Sequence, residues 1–269
     1  MTALNKLRPR TLWEAPSGLG WGPLPEMLLT LTFVTGLVDA VSILALGRVF
    51  VANMTGNVVF AGFAIVGAPG FSLGASLFAL AGFLIGAYAG GLMTARVGRD
   101  RALHIRAAAG TEFGLLAIAL IIAGTSGGAA ATTGTLDIAR GVAAFGAAIT
   151  YVLALVLAMA MGIQNSAARK LAVPDLTTTV LTMTLTGIGA DSPTGRRGHV
   201  TITRRLLAVV TMLTGGILGA WLVLNVGVVA SLALATALLA IVAACAAVAS
   251  RTSGEWRPVA PAKSAQPNP

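Results

Sequence analysis

Asp39 and Glu112 stand in stretches with almost no other charge, "TGLVDAVSILAL" and "AAAGTEFGLLAIAL". A charge at the centre of a membrane helix costs about 2.5–3.5 kcal/mol, so a carboxylate there must be protonated, paired or beside water. No Lys or Arg lies at comparable depth, since Arg106 and Arg140 fall near the ends of apolar runs. Two deep acids without cations suit proton coupling. The competing role is a hydrogen bond to backbone where a helix is broken. A second group of polar residues interrupts two short apolar runs. Asn53, Thr55, Gly56 and Asn57 lie in "VFVANMTGNVVFAGF", and Thr177, Thr178 and Thr179 lie in "VPDLTTTVLTMTLTGIGA". Gly permits sharp backbone geometry, and Thr or Asn side chains cap helix starts. Two half-helices whose N-termini face the protein centre would suit an anion or a carboxylate-bearing solute.

The elements that must position these residues are membrane spans. Of the 269 residues, 56% are hydrophobic and only 10% charged, far below the ~25% charge that covers a soluble domain. Hydropathy predicts six helices long enough to cross, at about 26–46, 73–95, 105–124, 141–163, 204–224 and 228–249. The two interrupted runs, about 50–67 and 174–190, are barely long enough. A β-barrel would need alternating segments, which are absent.

Charge chooses between six and eight spans, because Lys and Arg collect in cytoplasmic loops. With the N-terminus inside and both short runs re-entrant, 16 of the 18 basic residues face the cytoplasm, leaving Arg48 and Arg140 outside. Eight spans would give 11 inside and 7 outside. The expected fold is therefore an all-α membrane protein of six spans with two re-entrant segments. Residues 1–25 form a cytoplasmic segment without an evident signal peptide, 26–250 the transmembrane domain, and the Pro- and Ala-rich 251–269 a disordered cytoplasmic tail. Most of the +9 net charge then serves orientation and contact with anionic lipid, not nucleic acid.

The chain also looks duplicated. "TGLVDAVS" precedes the first interrupted run and "MGIQNSAA" the second, aligning Gly36 with Gly162, Asp39 with Asn165 and Ala40 with Ser166. Each block is followed by two long spans, so the copies run about 26–124 and 141–249. Three spans per copy turn the second upside down, the 3+3 inverted repeat of many transporters, whose sites lie where broken segments meet.

"GLVDAVSILALGRVFVANMTGNVV" resembles the signature of the YoaK-like bacterial membrane proteins, a family described as a domain of unknown function. The resemblance rests on Gly36, Asp39, Ala40, Phe50 and Met54 to Asn57, and on Gln164, Asn165 and Thr177 to Thr179 of the later block. It covers about residues 25–250 and implies a six-span protein of the bacterial inner membrane, with no established activity. Asn53 stands where the family pattern leads us to expect His.

Little else points to chemistry. Cys245 is alone, which excludes disulfides and thiolate metal sites. His104 and His199 sit in basic loops without ligand spacing and are expected to be solvated. Gln164 and Asn165 are expected to end the fourth span near the cytoplasm, and Asp137 and Arg140 to form a surface pair. No catalytic residue, cofactor or metal site is expected, and no phosphate-binding loop, because no strand precedes the glycine-rich stretches. The expectation is a small carrier or channel for a solute, with Asp39, Asn53, Thr55, Gly56, Asn57, Asn165 and Thr177 to Thr179 as binding residues. Asp39 and Glu112 are the proton-coupling candidates. A structural or assembly protein is the alternative. Partners are the bilayer and an unknown small solute, and the sequence leaves room for a homo-oligomer.

Overall fold

The computed structural model describes residues 20–98, 100–127, 143–174, 176, 178, 181–190, 196–251 and 256–257. Among these residues all regular structure is helical: α1 (Leu24–Ala45), α2 (Met54–Ile65), α3 (Leu73–Val97), α4 (Arg101–Thr125), α5 (Ala147–Leu171), α6 (Leu181–Ala190), α7 (Arg196–Asn225) and α8 (Val228–Ala249). Six of them are long and apolar enough to cross a membrane; α2, of 12 residues, and α6, of 10, are not. The helix starts follow local chemistry. Pro25 stands in the first turn of α1, where its missing N–H costs nothing. Ser72 accepts from the Ala75 amide to cap α3, and Asp100 accepts from Ala102 and Leu103 to cap α4.

Some boundaries differ from expectation. α4 begins at Arg101, not at 105, and the fourth span begins at Ala147, not at 141, and runs to Leu171, not to 163. Residues 143–146 are not helical, and the Ala144 N–H donates instead to the carbonyl of Ala45 at the end of α1. The shift moves Gln164 and Asn165 from a span end to about two turns inside α5.

Contacts at the helix ends give each run its direction. Ala144 beside Ala45 puts the start of α5 at the end of α1, so these two are antiparallel. Arg106, early in α4, donates to Ser250 after α8, so α4 and α8 are antiparallel too. Eight spans would make both pairs parallel. The end of α1 and the start of α3 line one cavity through Leu46, Gly47, Phe71 and Ser72, so the segment carrying α2 leaves and returns at one end. At the other end Trp21, Arg101 and the residues after α8 meet, and α5 and α7 are likewise joined there through α6. Both short runs are re-entrant.

Glycine sets the tightest packing. In the parallel pair α3 and α5, Gly82 and Gly86 lie against the carbonyls of Leu155 and Met159, and Gly162 lies against that of Phe83. In the parallel pair α1 and α7, Gly36 lies against the Met212 carbonyl and Gly215 against that of Phe33. No Cβ fits at any of these positions, so the backbones touch. α4 and α8 pack on each other, and α4 also packs on α5 and α8 on α1. α1 is the most enclosed span, whereas α3 and α7 turn large apolar side chains such as Leu84, Tyr88, Ile217 and Trp221 outward.

The basic end is clasped. Arg101 stacks over Trp21 at 4.4 Å and donates to the Trp256 carbonyl, while Trp256 covers Gly22. Arg257 pairs with Asp100. Burial works to raise the Asp100 carboxyl, but hydrogen bonds from Arg257, Leu103 and Ala102 and the Arg257 charge outweigh it and hold it below its ordinary value. Trp256 and Arg257 therefore sit against the bundle, although they fall in the tail expected to be disordered.

Replacing Gly86 by Val should push α3 off α5, because the obstacle is the Met159 backbone and cannot swing away. Overpacking of this kind costs about 1–3 kcal/mol. Gly91→Val, where nothing lies within 4 Å, is the control. Thermal unfolding in detergent should fall for the first variant and not for the second.

Candidate functional site

After α1 the chain turns through Gly47 and Arg48, both with positive φ, and continues without helical structure, with Val49, Val51 and Ala52 buried. This non-helical backbone lacks helical partners, and in lipid every such group needs one. Asn57 supplies two. Its Oδ1 accepts from the Phe50 N–H at 2.9 Å and its Nδ2 donates to the Phe50 carbonyl at 2.6 Å. Nδ2 also lies 3.5 Å from the Met54 sulfur. Gly56 leaves room for the Phe50 ring, which stacks on Phe60 at 5.6 Å. Asn57 is completely buried and staples the half-helix to the segment that leads into it.

Asp39 meets the same segment from α1. Its carboxyl lies against the backbone amides of Ala52 and Val51, while Oδ1 is buried with no hydrogen-bond partner. Val51 and Ala52 precede α2, and of the residues expected to bind a solute at the start of this half-helix Asn53 and Thr55 are exposed. Asn53 precedes α2 without capping it through its side chain.

In the second run Leu176 and Thr178 are buried, and Thr178 adopts φ 59°, a left-handed conformation rare for a β-branched residue. Its hydroxyl has no partner. Thr177 and Thr179 lie outside the described residues, as do Asp137 and Arg140. Among the described residues α2 packs on α3 and α6 on α7.

The polar contact at the centre is between α1 and α5. Gln164, 1% exposed, donates from Nε2 to Thr35 Oγ1 at 2.9 Å and approaches the Leu31 carbonyl at 3.5 Å. It was expected to end the fourth span near the cytoplasm, and it faces α1 instead because α5 extends further than hydropathy indicated. Asn165 is half-buried next to it. Thr35 precedes Asp39 by four residues, a spacing that sequence reading could have used. Glu112 is completely buried within α4, and neither carboxylate oxygen has a partner.

His104 is buried rather than solvated. α4 starts at Arg101, so His104 falls in its first turns, with Nε2 3.5 Å from Thr94 Oγ1 of α3. The His199 side chain lies outside the described residues. Among the described residues no group of three or more His, Cys, Asp or Glu could hold a metal ion. A cavity of about 310 Å³, lined by Phe71, Phe145, Thr150 and Tyr151 among others, opens where α1 ends and α3 and α5 begin, and none of the sequence-chosen residues lines it.

The stapling role of Asn57 has a measurable outcome. Asn57→Leu should leave the Phe50 N–H and C=O unpaired in an apolar setting, at a cost of about 1–3 kcal/mol. The variant should unfold at lower temperature in detergent, whereas Thr55→Leu should be nearly neutral.

The sequence profile of a family described as "Protein of unknown function (DUF1275)" matches residues 27–245, most of the chain. A curated relative, the "UPF0700 transmembrane protein YoaK" of Bacillus subtilis (strain 168), is 32% identical over 165 residues, which are 61% of this chain. The match spans 65% of that relative's length. No solved structure matches. With six helices able to cross a membrane, two re-entrant segments and a profile match from the first span to the last, the chain belongs to the DUF1275 family of integral membrane proteins.

Proposed function

We propose that the chain is a small-solute carrier of the bacterial inner membrane rather than an enzyme, built as two inverted copies of three spans. The observation that carries this reading is the recurrence of the glycine contacts. Gly36 against Met212 O and Gly216 N in the pair α1 and α7 has its counterpart in Gly162 against Phe83 O and Ala87 N in the pair α5 and α3. Gly215 against Phe33 repeats as Gly86 against Met159, and Gly219 against Leu37 and Ala40 repeats as Gly90 against Ile163 and Ser166. One register relates all the α1 residues to their α5 partners, and another relates α3 to α7. The first register places Asn165 at the position of Asp39. Because α1 and α5 are antiparallel, the copies are opposed, the plan on which many secondary carriers are built.

Asp39 and Glu112 are the titratable groups of this carrier, and the basic end is the cytoplasmic one. Arg96, Arg169, Lys170, Arg251 and Arg257 gather there, against Arg48 at the other end, and both termini follow them inside. The assembly-protein alternative draws on one observation, that the Asp39 carboxyl meets backbone amides as a purely structural group would.

Two measurements separate these readings. In a Cys245→Ala background, Ala68→Cys and Thr125→Cys should label from outside with an impermeant thiol reagent, and Lys170→Cys and Arg251→Cys only from inside. Labelling of either pair from opposite faces would sink the topology. Proteoliposomes holding the wild type should accumulate a solute from a metabolite mixture in response to a pH gradient, and Asp39→Asn should remove the response to pH. If nothing accumulates and Asp39→Asn fails to insert, Asp39 is structural and the assembly role replaces the carrier.

A further inference from the structure

Three distant parts of the chain meet at the basic end, and each belongs to a different helix. Trp21 and Gly22 lead into α1, Asp100 and Arg101 join α3 to α4, and Trp256 and Arg257 follow α8. Arg101 touches both of the other parts. Its guanidinium lies 4.4 Å from the Trp21 ring centroid, and its Nη1 donates to the Trp256 carbonyl at 3.2 Å. Its backbone N–H donates to the Arg257 carbonyl at 2.8 Å. Arg257 in turn grips Asp100 with two donors, Nη2 to Oδ2 at 2.5 Å and Nε to Oδ1 at 3.3 Å. Trp256 covers Gly22, where even a methyl group would meet its ring at 2.6 Å.

This clasp joins parts that pack apart elsewhere. α1 packs chiefly with α7 and α8, whereas α3 packs with α5 and α4, so Trp21 belongs to one set of helices and Asp100 and Arg101 to the other. The opposite end differs. There the cavity of about 310 Å³ is lined by Leu46 and Gly47, which follow α1, and by Phe71, Ser72, Ala147 and Tyr151, at the starts of α3 and α5. Fastened at one end and hollow at the other is the geometry of a carrier open to its outer face. To deliver a solute it must also open inward, which means undoing what joins its parts there. Resting on the carrier reading, we propose that the clasp of Asp100, Arg101, Trp256 and Arg257 against Trp21 and Gly22 is the inner gate, closed in this structure. The sets stay joined where α4 packs on α8, so releasing the clasp does not part them. The contacts suit release, because the Arg257 and Asp100 side chains are 23% and 28% exposed. An ion pair so placed shifts a two-state balance only about two- to fivefold.

The test is the rate of labelling by an impermeant thiol reagent in right-side-out and inside-out membrane vesicles, with the full chain in a Cys245→Ala background. Leu31→Cys probes the inner side, since Leu31 lies about two turns into α1 and is 2% exposed. Ala147→Cys probes the cavity at the far end. Arg257→Ala and Trp256→Ala should each speed labelling of Leu31→Cys from inside about two- to fivefold and slow labelling of Ala147→Cys from outside. Arg257→Lys, which keeps the charge, should fall between the wild type and Arg257→Ala. Asp100 is left in place because it also caps α4. Unchanged rates at both probes overturn the gate. A rise at Leu31 without a fall at Ala147 overturns it too, because that is local loosening of the tail. If one variant does not elute from gel filtration as the wild type does, the other decides, and misfolding of both makes the clasp a structural tie instead of a gate. The two proposals fail separately. Opposite shifts at the two probes without solute accumulation in proteoliposomes remove the carrier and leave the gate, whereas accumulation with unshifted labelling does the reverse.

Discussion

A backbone that leaves the helical path inside an apolar layer has to find partners for its amides and carbonyls, and much of this molecule is arranged around that demand. The first re-entrant segment meets it with two side chains. Asn57 returns from α2 to satisfy both polar groups of Phe50, and Asp39 reaches from α1 to the amides of Val51 and Ala52. One side chain comes from within the segment and the other from the most enclosed span. The polar residues that make the run look unfit for lipid are in part the residues that let it stay there.

The spans are held by a different device. Lipid tails are as apolar as the side chains they would replace, so helix pairs in a bilayer gain most from close backbone approach. Gly82, Gly86 and Gly162 allow it between α3 and α5, and Gly36, Gly215 and Gly219 allow it between α1 and α7. These pairs join the two halves of the sequence instead of keeping each half together. α1 packs chiefly with α7 and α8, and α5 with α3 and α4. Where α1 and α5 themselves cross, contact is slight and includes the Gln164 to Thr35 bond. The two groups are tied to each other chiefly where α4 packs on α8, beside that slight crossing.

The spans and the re-entrant runs could be read from the sequence because they depend on sums, of hydropathy along twenty residues and of charge between spans. Gly36, Gly162 and Asp39 were also legible, as small or charged residues in places that ask for a reason. What the sequence hid was direction. Nothing in "MTGN" tells that Asn57 turns back to Phe50 while Thr55 turns outward, because that depends on the angle at which α2 meets the segment leading into it. Gln164 was misplaced for a simpler cause. Arg169 and Lys170 pull the hydropathy down near the end of α5, although long basic side chains can reach the membrane surface from a helix that continues beneath them. The same error hid His104, which Arg101 and Arg106 made look like part of a loop.

The order in which the helices are made adds one more consequence. Synthesis proceeds from the N-terminus, so α1 enters the membrane first, yet the helices that enclose it, α7 and α8, are made last. Throughout synthesis the most buried span stands without its neighbours, with Gly36 facing lipid in place of the α7 backbone. Asp39 is not left alone for so long, because Val51 and Ala52 follow within a dozen or so residues and bring their amides to it. The first re-entrant segment is thus a companion made early enough to shelter the acid until the rest of the bundle arrives.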